Sequence, residues 1–154
     1  MTSGTVLDSA TVLLAGTSEW LRQLEQALEA RTDATVDTVS AKPDAVAVVQ
    51  ERATDCVISD YSLAEATGID LLREIRTETA TLPFFLGTDA GSEAIASTAI
   101  EAGVTDYVAL SGAADSMTDE LVERIERAIR SAQRSATQRE RARQFDAIFD
   151  DTRT

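Results

Sequence analysis

The stretch DCVISDYSLAEATGIDLLREI, residues 55–75, passes from an apolar strand pattern into an amphipathic helix pattern, and Asp60 stands where the strand runs out. A carboxylate in that place can attack an electrophile, ligate a hard cation or cap a turn. On residue type alone, the turn is the simpler reading. The chain has no histidine, which excludes a Ser-His-Asp or Cys-His pair, histidine metal sites and a phosphohistidine made on this chain. Its one cysteine, Cys56, lies inside the same apolar run and reads as a small buried hydrophobe in a reduced protein. Catalysis, if any, must rest on carboxylates, hydroxyls and backbone groups. Thr88, at the end of another apolar run, is the hydroxyl that a shared sheet edge would bring towards Asp60.

The elements that would position these groups follow from periodicity. Strand patterns cover residues 10–16, 34–40, 56–60, 83–88 and 106–110, and 34–40 alternates like a half-buried edge strand. Helical patterns fall between them: SEWLRQLEQALEA with Leu21, Leu24 and Leu28 on one face, 43–53 with Pro43 in the first turn, 68–78, and SEAIASTAIEAG closed by Gly103. A last helix is predicted from near Met117 to about Phe149. Strands alternating with helices of this length predict an α/β fold, a parallel sheet wound on both faces, with chemistry at the carboxyl ends of the strands.

At 154 residues the chain suits one domain with a substantial core. No apolar run approaches the roughly 20 residues needed to span a bilayer, and the start MTSGTVLDSA lacks the basic flank and apolar segment of a signal peptide, so a cytoplasmic location is expected. The net charge is −13, with 13 arginines against the lone Lys42, a balance that suits a high-salt cytoplasm. Residues 1–115 carry 19 acidic and 6 basic groups, whereas residues 116–154 carry eight of each. Seven arginines lie between Arg124 and Arg143, on a helix whose inner face thins to small residues beyond Ala132. That pattern suggests a coiled-coil or interdomain helix. With no aromatics among the arginines and an acidic body, neither nucleic acid nor membrane is expected as a partner. Neither G-x-G-x-x-G nor G-x-x-x-x-G-K-[ST] occurs, so a nucleotide-binding enzyme has little support.

The segments TVLLAGTSEWL, CVISDYSLAEATGIDLLREI and LPFFLGTDAGSEAIASTAIEAGVTDYVAL resemble the receiver domain of two-component response regulators, especially the archaeal halophile type, over about residues 10–130. The resemblance implies a flavodoxin-like doubly wound sheet of five parallel strands in the order 2-1-3-4-5, with a long C-terminal helix. It also implies that Asp60 is the phosphoacceptor, that Thr88 and Tyr107 are the switch pair, and that Gly68 closes the phosphoacceptor loop. In that family Mg²⁺ is held by an acidic pair after the first strand, by the phosphoacceptor and by a backbone carbonyl two residues later, here that of Ser62. A lysine follows the fifth strand.

This sequence departs from the pattern at the charged positions. The acidic pair falls on Gly16 and Thr17, and the lysine on Leu110, followed by Ser111. Glu19 belongs to the first helical turn, where an acid complements the helix dipole, and Lys42 is in the wrong part of the chain to replace the lysine. Ala64 stands where the loop usually has proline, and Thr67 where it often has aspartate. Two functions are expected: a phosphorelay receiver with weakened Mg²⁺-dependent phosphorylation of Asp60, or a phosphorylation-independent pseudo-receiver acting as an interaction module. Expected partners are a sensor histidine kinase or fused signalling domains, and a second copy through the helix 4–strand 5–helix 5 face or the long helix. The expected organisation is a flexible N-terminus over 1–9, a receiver-like domain over 10–130 and a helical extension over 131–154. The terminal RQFDAIFDDTRT is similar to the entry of a PAS domain.

Overall fold

A computed structural model describes residues 5–88, 92–110 and 114–151. Five strands, β1 (Thr11–Ala15), β2 (Thr35–Val39), β3 (Cys56–Asp60), β4 (Phe84–Thr88) and β5 (Asp106–Ala109), pair in parallel in the order β2-β1-β3-β4-β5. The helices are α1 (Glu19–Arg31), α2 (Lys42–Glu51), α3 (Gly68–Glu78), α4 (Glu93–Glu101) and α5 (Ala114–Asp151). The flavodoxin-like receiver fold and the long last helix expected from the sequence are both present.

Successive side chains of a strand point to opposite faces, so the alternating apolar residues supply two cores. Val12, Leu14, Ile58 and Phe85 pack with α1 and α5 on one face; Leu13, Val57, Phe84 and Leu86 pack with α2, α3 and α4 on the other. Both faces of β3 and β4 are covered, which is why every residue of these two strands is buried. β2 lies at the edge and is only half-buried.

Local signals fix where the helices begin and end. Thr67 caps α3, its hydroxyl accepting from Asp70 N while the Asp70 carboxylate accepts from Thr67 N. The departure from aspartate at position 67 thus serves the helix. Ser92 caps α4 by accepting from Ile95 N, and Gly103, at φ 94°, follows its end. Arg76 of α3 donates to the carbonyls of Gly103, Thr79 and Leu82, binding the α3–β4 loop to the α4–β5 loop.

Two expectations need correction. The flexible segment expected over 1–9 includes a 3-10 turn, Val6–Ser9, capped by Thr5, and its Leu7 is fully buried. Leu7 packs beneath α5, so the folded unit starts before residue 10. The last helix begins at Ala114 rather than near Met117, and runs without a break to Asp151. Its buried residues end at Ile129, and side chains 133–144 are exposed. Residues 1–4, Ser111 and the side chains from 145 onwards, which include most of the PAS-like stretch, lie outside the described residues.

Candidate functional site

Asp60 closes β3 and pairs in register with Gly87 of β4. Its side chain is 96% enclosed, being only 4% exposed. Both carboxylate oxygens are engaged from the β1–α1 segment: Ser18 N donates to Oδ2 at 3.1 Å and the Trp20 indole Nε1 donates to Oδ1 at 2.7 Å. Burial pushes the Asp60 carboxyl above the usual carboxylate range, opposed by the hydrogen bonds from Ser18, Trp20 and the Thr17 backbone.

Three glycines make this arrangement fit. Gly16 has φ 132°, open in practice only to glycine, and a Cβ there would come within 2.6 Å of Asp60 Cγ. A Cβ on Gly68 would collide with the Asp60 carbonyl and the Leu86 side chain. At Gly87 a Cβ would lie 2.6 Å from two carbons of the Trp20 ring.

The other expected residues are placed as follows. Thr88 ends β4, is 7% exposed, and its carbonyl accepts from Leu110 N at 2.9 Å. Tyr107 of β5 is half-buried against the α3–α4 core; its hydroxyl is enclosed and has no hydrogen-bond partner among the described residues. Ser62 sits in a two-residue ribbon opposite Thr67, and Ala64 bridges to Ala41 beside β2. Thr17 is exposed. Leu110 packs on the α1–α5 core, the same core that receives Trp20. Glu19 pairs with Arg22 at 2.8 Å on the surface, and Lys42 pairs with Glu74 at 3.1 Å between α2 and α3. Cys56 is buried, and burial pushes its thiol far up, away from reactivity.

Mg²⁺ requires a near-octahedral set of oxygens, usually including more than one carboxylate. Among the described residues, no three acidic, cysteine or histidine side chains gather to hold a metal. The nearest position for a second acid, Gly16, has no room for a side chain while Asp60 keeps its place. The residues present do not fit the ion.

Trp20 is the residue whose role the sequence did not disclose. It lies in the segment TVLLAGTSEWL that carries the family resemblance, but its bond to Asp60 was not legible there. The usable signal was Gly87: a glycine without a left-handed φ, inside a buried strand between Leu86 and Thr88, marks a close approach by another group.

The chain belongs to the response regulator receiver domain family, whose model matches residues 16–125. This is a family of signalling domains. The chain is 26% identical over 117 residues to the acid tolerance regulatory protein ActR of Rhizobium meliloti, a match covering 76% of this chain and 60% of that protein. It is 37% identical over 65 residues to the transcriptional regulatory protein ZraR of Salmonella typhimurium, covering 42% of this chain and 15% of that one. The chain therefore matches only part of the length of either relative. Among solved structures, a CheY-like response regulator receiver domain protein from Methanospirillum hungatei superposes with a TM-score of 0.72 at 16% identity, over 82% of this chain and 98% of that one. A LuxR-family two-component response regulator from Aurantimonas gives 0.69 at 26% identity, over 80% and 86%.

Proposed function

We propose that this chain is a receiver module of two-component signal transduction that reports through its surfaces, with Mg²⁺-dependent phosphorylation of Asp60 weakened or lost. The observation that carries this reading is the company Asp60 keeps: its carboxylate accepts from the neutral donors Ser18 N and Trp20 Nε1, with glycine at 16 and leucine at 110. A carboxylate attacking a phosphoryl dianion needs positive charge in place before the reaction, and electrostatic stabilisation is usually the largest part of such catalysis.

The partners that fit this reading are a sensor histidine kinase or signalling domains joined to the receiver. The relatives ActR and ZraR, both longer than the matched segment, support the second kind. The α4–β5–α5 face is the proposed docking surface, because Ile100 on α4 is 68% exposed and Ala109 of β5 is exposed beside it in the fold order.

The test is intact mass after incubation with acetyl phosphate and Mg²⁺ in high salt, beside Asp60→Asn. No adduct in either protein is the expected result. A phosphoryl adduct that forms on the wild type as fast as on an intact receiver run beside it, and is absent from Asp60→Asn, would restore Asp60 as a working phosphoacceptor and overturn the proposal.

A further inference from the structure

Trp20, from the first turn of α1, bonds to Asp60 at 2.7 Å, against 3.1 Å for Ser18 N. The ring does not rest on the carboxylate alone. It lies over Gly87, the β4 residue paired with Asp60, close enough that the missing Cβ would stand 2.6 Å from two ring carbons. Gly87 has no left-handed φ, so its backbone does not call for glycine. Glycine also weakens a strand interior, and here it stands within the fully buried strand β4. The space taken by the indole is what accounts for it.

The side of the sheet matters as well. Trp20 packs against the α1–α5 core, and so does Leu110, which occupies the position where the family resemblance places a lysine. The leucine has no donor to offer. The indole N–H supplies one to the same carboxylate from the same side.

We propose that Trp20 is a resident donor and cap for Asp60, replacing from α1 the donor lost at position 110, and that Gly87 is the seat that admits its ring. With Ser18 N on the other oxygen, Asp60 fastens the β1–α1 segment to the centre of the sheet. The cap is neutral and belongs to the chain, so it needs no ion or phosphoryl group to form. An incoming ligand for Asp60 must first displace the ring.

The test is a double-mutant cycle in the full chain, read by urea denaturation, with the indole N–H of this lone tryptophan followed by NMR. Gly87→Ala should lower the urea midpoint in the wild type and leave it unchanged or raise it in a Trp20→Ala background, where the added methyl fills vacated space. The wild-type indole proton should exchange with solvent about tenfold more slowly than in Asp60→Leu, which removes the acceptor at similar volume. Equal loss from Gly87→Ala in both backgrounds would overturn the seat, and equal exchange in wild type and Asp60→Leu would overturn the cap. Neither readout involves acetyl phosphate, so rapid phosphorylation of Asp60 would sink the functional proposal separately from this one.

Discussion

Gly87 stands opposite Asp60 across the β3–β4 ladder, and one side chain, Trp20, covers the first while bonding to the second. A buried carboxylate, a strand glycine and a helix tryptophan therefore behave as one unit, and substitutions among them should not be additive.

Trp20→Phe keeps most of the ring and removes the donor. Loss of a hydrogen bond to a buried charged acceptor should cost about 1.5–3 kcal/mol, measured by urea unfolding. In an Asp60→Asn background the same change should cost less, since the acceptor is then neutral. An equal cost in both backgrounds would mean that the bond contributes nothing specific.

Asp60→Asn should also change the pH dependence of stability. Burial raises the folded pKa of Asp60 above its unfolded value, so the charged form is penalised at neutral pH. Its contribution becomes more favourable as pH falls through the folded pKa, and is complete below the unfolded one. The stability of Asp60→Asn relative to wild type should therefore be greatest near neutral pH and decline towards pH ~4. Asp8 and Asp70, pulled down by hydrogen bonds at Thr5, Asp33 and Thr67, act in the opposite sense but are common to both proteins. Thermal unfolding of the pair across this range checks the sign, and an offset independent of pH contradicts it.

Gly68→Ala should destabilise by about 1–3 kcal/mol through overpacking alone, because the new methyl meets backbone at Asp60 and the Leu86 side chain. Gly16→Ala adds backbone strain of about 1–3 kcal/mol to its collision with the Asp60 carboxylate. Denaturation midpoints should rank the Gly16 variant below the Gly68 variant.

Arg76→Lys should lose about 1–3 kcal/mol, since one ammonium cannot reproduce the guanidinium's bonds to Gly103, Thr79 and Leu82. Hydrogen exchange should show the loss first at the α3–β4 and α4–β5 loops, with β1 protected as before.

Ending the chain after Ala136 should leave stability within about 0.5 kcal/mol, because the described side chains beyond it, those of residues 137–144, are exposed. Ile125→Ala, at a fully buried position of the same helix, should cost about 2–5 kcal/mol. A large loss on truncation would show that the distal helix belongs to the folded unit.

The sheet was legible because its central strands carry apolar runs, its edge strand β2 alternates, and its helices show one-sided stripes such as Leu21, Leu24 and Leu28, all buried as expected. Asp60 and Thr88 were legible as strand ends, and both close buried strands of the same sheet edge. Two things escaped. Leu7 looked like part of a polar terminus because a four-residue turn is too short to show periodicity. The Trp20–Asp60 bond joins residues 40 apart in sequence, and no local pattern encodes which donor a buried carboxylate will find.

The unbroken course of α5 sets an angular phase. A helix turns by about 100° and advances about 1.5 Å with each residue, so its far end has a fixed bearing relative to the sheet. Inserting one residue after Ala136 would swing the distal arginines by about a quarter turn or slightly more, whereas inserting seven would return them almost to their starting direction, about 10 Å further out. The length of α5 is thus a compass setting as well as a reach.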